Sequence, residues 1–413
     1  MTLTVTGAVL DGETVGLRCE EGRILALGPE VVARLGDETI DAGGAPLLAP
    51  LVNGHTHAAM TLFRGSGGDL PLMPWLEERI WPVEAKLDDE DVYWGARLAC
   101  AEMTRGGCAR FWDMYWHPTA TARAVADAGL RATIGAPLFD RDGDAEAMRQ
   151  TALRSLEQLA ELGPLVEPAL APHSIYTVSE DSLRWIAELS AERRVPIQIH
   201  LAETEGEVEQ CLATHGLRPA AYLDSLGMLS ERTVLAHGVW LDHYELELIA
   251  DRGCTVVTNP AANMKLAVGG IFSYPAAREA GVAVGLGSDG AGSNDSLDLF
   301  ADLKLFALAQ KHAAADPTAI AAAEAWEIAT GARAPLLGAS ALAVGAAADF
   351  LLLRADAPAL AIGELASNLV YAAGGEVVDT VVVAGEALMR GGDLPNLAEI
   401  VARAGERARR LGL

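Results

Sequence analysis

Eight short apolar runs, separated by stretches rich in Ala, Leu and Glu, span residues 50 to 340 and restrict the architecture most. They lie at 50–54, 109–115, 132–136, 166–171, 197–201, 233–237, 254–258 and 282–287. Strands alternating with helices at roughly 30–40-residue spacing build parallel βα units. Eight such units predict a closed (β/α)8 TIM barrel, an α/β fold whose active site lies at the carboxyl ends of the strands. The clearest unit is 196–216. Ile197, Ile199 and Leu201 share one strand face, and Gln198 and His200 share the other. A helix follows with Val208, Cys211 and Leu212 on one side and Gly216 as its stop. Just upstream, Thr177 to Glu180 reads as a capping box.

The flanks differ from the barrel segment. Residues 1–48 read as short strands broken by Asp11-Gly12, Glu21-Gly22 and Gly43-Gly44, and strand character returns at 349–353 and 380–383. Both chain ends are therefore expected to build one small β-sandwich domain, from 1–48 and 343–413, beside a barrel of 49–342. An amphipathic helix is expected over 396–412.

Composition narrows the function classes. A chain of 413 residues with 51% apolar content can bury a large core and is too long for one simple domain. The net charge of −26 repels a phosphate backbone, so no nucleic acid partner is expected. No window approaches the ~18 apolar residues of a membrane span, so no membrane association is expected either. The five scattered cysteines form no metal or disulfide pattern and fit a reducing, cytoplasmic setting. The first residues do not read as a signal peptide.

The informative polar residues fall at strand ends. His55 and His57 close the first apolar run, one residue apart, so both imidazoles can face one point. His173 follows the fourth run, His200 ends the fifth, His237 ends the sixth, and Asp289 follows the eighth. A barrel gathers these ends. Imidazoles with a carboxylate suit one divalent ion, zinc first and iron second. Such an ion makes water acidic enough to deprotonate near pH 7. Glu203, three residues after His200, could shuttle a proton from the same mouth; alternatively it is a helix-start carboxylate favoured by the dipole. His237 acts either directly or by orienting a neighbour. Glu84 sits in an acidic stretch of the kind that is usually just solvated. Trp75 and Trp81, with Leu72 and Met73, either pack ordinarily or form an apolar lid, with Gly65, Gly67 and Gly68 as hinges. His117, His215, His243 and His312 read as ordinary loop or helix residues.

These motifs, together with Trp81-Pro82-Val83-Glu84, Asn259-Pro260-Ala261-Ala262-Asn263 and Gly287-Ser288-Asp289-Gly290, resemble the amidohydrolase superfamily over nearly the whole chain. The resemblance is to its aminopurine deaminase and chlorohydrolase branch, nearest the 5-methylthioadenosine/S-adenosylhomocysteine deaminase group. It implies a metal-dependent hydrolytic deaminase that converts a 6-aminopurine nucleoside to the inosine-type product and ammonia. His55, His57, His200 and Asp289 would ligate the metal, and Glu203 would protonate a ring nitrogen. His237 would hold the attacking hydroxide, and Asp289 would pass the water proton to departing ammonia. Glu84 would bind ribose hydroxyls, and His173 would contact the nucleoside. Homo-oligomers are common in the family. Two-metal relatives often use a bridging lysine on strand four; no lysine occurs between Lys86 and Lys265, so one metal is implied. Nucleoside deaminases of the group place an arginine after strand three, to receive a distal carboxylate. Here an alanine stands in Gly135-Ala136-Pro137, with Arg141 nearby, which counts against S-adenosylhomocysteine as the best substrate and leaves an adenosine with another 5′ group open, methylthioadenosine and aminodeoxyfutalosine among them. The rivals are a hydrolase of a guanine-like base, pterin or triazine on the same scaffold, and a non-catalytic relative that has lost its ligands.

Overall fold

The computed structural model describes residues 2–66, 70–141 and 143–413. Among them, strands β1 (Thr2–Leu10), β2 (Glu13–Glu20), β3 (Arg23–Gly28), β4 (Glu38–Asp41) and β5 (Leu47–Leu48) precede the barrel. The barrel strands are β6 (Leu51–Thr56), β7 (Cys108–Met114), β8 (Arg131–Leu138), β9 (Val166–Pro172), β10 (Ile197–Leu201), β11 (Thr233–His237), β12 (Thr255–Thr258) and β13 (Ala283–Leu286). They form one eight-stranded sheet in sequence order, and every pair is parallel. Three strands follow, β14 (Phe350–Leu353), β15 (Val378–Val383) and β16 (Glu386–Met389).

The seam between β13 and β6 closes just past the end of β13. The Asp289 N–H donates to the His55 carbonyl at 3.0 Å. Asn53 locks the same seam: its carbonyl accepts the Ser288 N–H at 3.0 Å, and its amide donates to the Ser288 hydroxyl at 2.7 Å. Inside the barrel, Val52, Trp112, Val234 and Val257 pack against Ala334 and Leu337, which plug one end. Gly54 sits against this plug, where there is no room for a side chain. A Cβ there would lie 2.8 Å from Val257 Cγ2 and 3.0 Å from Leu337 Cδ1.

The chain ends meet in two four-stranded sheets, ordered β3-β2-β1-β4 and β16-β15-β14-β5. Leu3, Val5, Leu17, Ile24, Leu47, Phe350, Leu352 and Val382 form the shared core, alternate residues of each strand pointing inward. β5 couples the two ends directly, with Leu48 opposite Leu351. Not all of the chain beyond 343 stays with these sheets. The terminal helix Leu397–Leu411 docks on the barrel helix Asp89–Arg105. There Arg410 donates to the fully buried carboxylate of Asp91. Ala404 and Leu411 of this helix join the cluster that holds Phe63, Trp75 and Leu76.

Two local expectations are corrected. The helix Glu180–Arg193 is capped by Ser179, not Thr177, because the Ser179 hydroxyl accepts the Ser182 N–H. Thr177 instead hydrogen-bonds His173. In the helix Glu205–His215, Leu212 is 43% exposed, and the buried face is Glu207, Val208 and Cys211. No helix among the described residues is long and apolar enough to cross a membrane.

Candidate active site

The strand ends deliver the polar residues to one place. Between Asn53 and Thr56 the β6–β7 register slips by one residue. Such a bulge re-aims side chains, and His55 and His57 both face the barrel mouth. His200 lies on β10, on the inward face it shares with Gln198, whose amide donates to the Gly54 carbonyl at 2.9 Å. His237 ends β11 with φ +75°, and Asp289 follows β13 with φ +61°. Non-glycine residues rarely adopt that left-handed backbone, and it clusters where function holds it in place.

His55, His57 and His200 present nitrogens within 4.8 Å of one another, and so do the ligand atoms of His55, His237 and Asp289. Asp289 Oδ1 lies 3.1 Å from His57 Nε2 and 3.4 Å from His55 Nε2. The hydrogen-bond partners define the tautomers. His57 Nδ1 meets the Met114 carbonyl, and His200 Nδ1 meets the His173 carbonyl at 2.8 Å. A carbonyl only accepts, so each Nδ1 carries a proton. The two Nε2 atoms then face each other at 3.3 Å as bare lone pairs when the rings are neutral. His55 is 0% exposed, yet neither ring nitrogen has a hydrogen-bond partner. Buried polar atoms are rarely left this way. Burial also pushes the His55 pKa down to about 4 and that of His200 well below its ordinary value, keeping both neutral. At His57 burial opposes protonation, but the Asp289 carboxylate overcomes it and raises the pKa to about 9. Imidazoles converging on one carboxylate are the donor types a divalent metal takes, and His57 would give up its proton to bind one.

Two groups flank this set. Glu203, 6% exposed, lies with its carboxylate 3.8 Å from His237 Nε2. Burial raises its pKa, while His237 opposes that shift, so it is suited to hold a proton. His237 Nδ1 pairs with Asn263 Oδ1 at 2.8 Å, which turns Nε2 toward the mouth. Asp289 Oδ2 accepts the Ser293 hydroxyl at 2.6 Å.

A cleft of about 810 Å³, counting its open mouth, rises from this floor, and its walls are mostly apolar: Met60, Leu72, Trp75, Leu76, Trp81, Phe139 and Leu266. Trp75 is both packed and lining; 4% exposed, it sits against Phe63 and Met60 while bordering the cleft. Gly65 has φ +74°, and Gly67 and Gly68 lie outside the described residues. Glu84 stands at the rim, where the Trp116 indole N–H donates to it at 3.3 Å. Burial raises its pKa, with Tyr115 and Trp116 opposing. His173 uses Nδ1 on the Thr177 hydroxyl at 2.9 Å, leaving its other nitrogen to the cleft. Burial keeps it neutral, with a pKa of about 3. Arg141 donates to the Tyr176 carbonyl at 2.6 Å and borders an outer groove, and no lysine or arginine lines the cleft among the described residues. His215 stacks on Tyr222, and His243 pairs with Glu247, both away from the cleft.

Four residues of the site escaped the sequence reading. Tyr115 and Trp116 follow the end of β7, so the strand-end rule could have found them. The buried Tyr115 borders the cleft. Asn263 closes the Asn259–Asn263 motif, and Ser293 lies three residues past the Gly287–Gly290 motif.

The amidohydrolase family profile matches residues 47–388. A 5′-deoxyadenosine deaminase of Methanoregula boonei is 46% identical over 380 residues, covering 90% of this chain and 86% of its own. A 5-methylthioadenosine/S-adenosylhomocysteine deaminase of Archaeoglobus fulgidus is 41% identical, covering 96% and 94%. The crystal structure of an adenosine deaminase from Xanthomonas campestris with bound zinc superposes with a TM-score of 0.92 at 33% identity, covering 100% of this chain and 98% of that one.

Proposed function

The chain belongs to the amidohydrolase family, and we infer that it is a hydrolytic deaminase of 5′-modified adenosines that works with one zinc ion. The observation that carries this reading is the pairing of Glu203 and His237 beside the four-residue donor set, at the floor of an apolar cleft. His55, His57, His200 and Asp289 would hold the ion. When bound, zinc supplies Lewis acidity that brings water within reach of deprotonation at neutral pH. Iron would serve the same donors less readily, and the missing strand-four lysine favours a single ion.

The remaining chemistry belongs to side chains. Glu203 donates a proton to a ring nitrogen and makes the amine-bearing carbon electrophilic. His237, its tautomer held by Asn263, orients the attacking oxygen through Nε2. Asp289, held by Ser293, takes a proton from the water and returns it to the amine. The new C–O bond forms, the C–N bond breaks as ammonia leaves, and the added hydroxyl returns its proton to Glu203, leaving an inosine-type product. Glu84 receives the ribose hydroxyls, and His173 contacts the nucleoside through its free nitrogen. Trp75 covers the base with its apolar face.

The substituent at the 5′ position is small and uncharged in this reading, as in 5′-deoxyadenosine or methylthioadenosine. A carboxylate on a short 5′ group would stay in the cleft, which no lysine or arginine lines among the described residues, and that costs binding. The enzyme is read as cytoplasmic, on the strength of five buried, unpaired cysteines, and the family likeness suggests a homo-oligomer. The test is ammonia release from zinc-loaded protein. The panel holds 5′-deoxyadenosine, methylthioadenosine, S-adenosylhomocysteine, aminodeoxyfutalosine, guanine, a pterin and a chlorotriazine. The first two should give the highest kcat/KM. A higher value for the triazine or a free base would overturn the nucleoside assignment.

A further inference from the structure

The helix Glu205–His215 begins in a way that its cap does not explain. Thr204 is the N-cap, and its hydroxyl accepts the Glu207 N–H at 3.2 Å. A glutamate at this third helical position ordinarily reaches back to the backbone N–H of the cap residue. Glu207 reaches further. Its Oε1 accepts the Ala202 N–H at 2.9 Å, and its Oε2 accepts the Glu203 N–H at 2.9 Å. Both bonds are buried, Glu207 being 6% exposed and Ala202 0%. Ala202 has φ +49°, a conformation that surrounding contacts must hold. The turn held in this way runs from His200 to Glu203. Burying a carboxylate is expensive, and Thr204 already caps the helix. Glu207 borders a separate small pocket with Cys211 and Tyr222 and does not line the catalytic cleft. It can touch neither substrate nor metal.

We propose that Glu207 is a positioning residue for the deamination: by gripping the Ala202 and Glu203 amides it sets how far the Glu203 carboxyl reaches into the cleft. This rests on the deaminase reading above. Its influence passes entirely through Glu203, so it bears on the proton transfer and not on substrate affinity. It also disappears once Glu203 can no longer donate a proton.

The test is a cycle of Glu207→Gln, Glu203→Gln and the double variant, each zinc-loaded, with kcat, KM and zinc content measured on the best substrate of the panel. Glutamine offers one acceptor oxygen where the carboxylate offered two, so one amide loses its partner. In Glu207→Gln, kcat should fall about thirtyfold to a hundredfold, as small misplacements do, with KM and zinc content within about twofold. In the Glu203→Gln background the same change should alter kcat by less than about twofold. Glu207→Asp keeps two acceptors on a shorter stem and should fall between glutamate and glutamine. It decides the question by the same criteria if Glu207→Gln does not fold. An unchanged kcat, a loss that recurs undiminished without Glu203, or a loss of zinc would overturn the proposal. Wild-type protein that releases no ammonia from any adenosine would sink the deaminase reading and this inference with it. An active wild type with an indifferent Glu207 would sink this inference alone.

Discussion

The Nε2 atoms of His57 and His200 lie 3.3 Å apart, so two neutral rings would repel there unless a cation sits between them; the proton that Asp289 holds on His57 can fill that place, and a metal ion would displace it. His57 and His200 are locked into that arrangement by the carbonyls of Met114 and His173. His200→Ala should therefore lose most of its bound zinc on dialysis, measured by elemental analysis. Near-full occupancy would remove His200 from the donor set. Glu203→Gln should keep its zinc and lose kcat by about a hundredfold or more, the range of a lost general acid; equal turnover would exclude the proton transfer assigned to it. Asn263 makes the subtler case. It accepts from His237 Nδ1 at 2.8 Å, with the Asn259 amide nitrogen on the same atom at 3.4 Å, and its replacement by Ala frees the ring to change tautomer toward Asn259. Zinc should stay while kcat falls about tenfold to a hundredfold, as for other groups that orient an active side chain. The histidines and Asp289 were readable because each ends a strand, and a barrel brings strand ends together. Asn263 was not readable, because its partner lies across a loop and no periodicity marks it.

At the scale of elements, apolar runs located the strands to within a few residues, since buried parallel strands need little else. The seam and the bulge were invisible to that pattern. Strict alternation from Asn53 to His57 says nothing of the slip against β7, which depends on how β6 meets its neighbours. One helix cap was misplaced for a related reason, while the terminal helix was found within a residue. Thr177 and Ser179 both have capping chemistry, and only the fold decides that Thr177 serves His173 while Ser179 caps. The seam itself can be tested. Asn53→Ala removes both side-chain bonds to Ser288 from a fully buried position. It should cost about 2–4 kcal/mol through the lost bonds and the unpaired partner groups. Because Ser288 precedes Asp289, zinc affinity should weaken as well. Calorimetric melting with and without added zinc measures both effects, and an unchanged melt would show that the seam closes without Asn53.

Across the whole molecule, the acidity read from composition belongs to the surface, but the pH response of the fold belongs to carboxyls buried inside it. Asp302 is 0% exposed and accepts the Ala261 N–H and the Asn294 amide. Burial raises its pKa from 3.8 to about 7, although both hydrogen bonds oppose the shift. In the unfolded chain it returns to the ordinary value. Between those limits the folded state holds a proton that the unfolded state has released, so stability falls as pH rises. The contribution is complete below the unfolded value and gone once pH passes the folded one. Exposed carboxylates are already ionised above about pH 5, so they add little slope across pH 5–8. Asp302→Asn keeps the size of the side chain and cannot titrate. Urea unfolding at pH 5, 6, 7 and 8 should show wild-type stability falling faster than the variant's. The difference in slope should approach about 1.4 kcal/mol per pH unit, the linkage of a single proton, and should flatten above pH 7. Zinc release at low pH acts on both proteins alike and cancels in the comparison. Parallel slopes would mean that Asp302 is ionised in the folded protein throughout, held by Asn294 and the Ala261 amide against the cost of its burial.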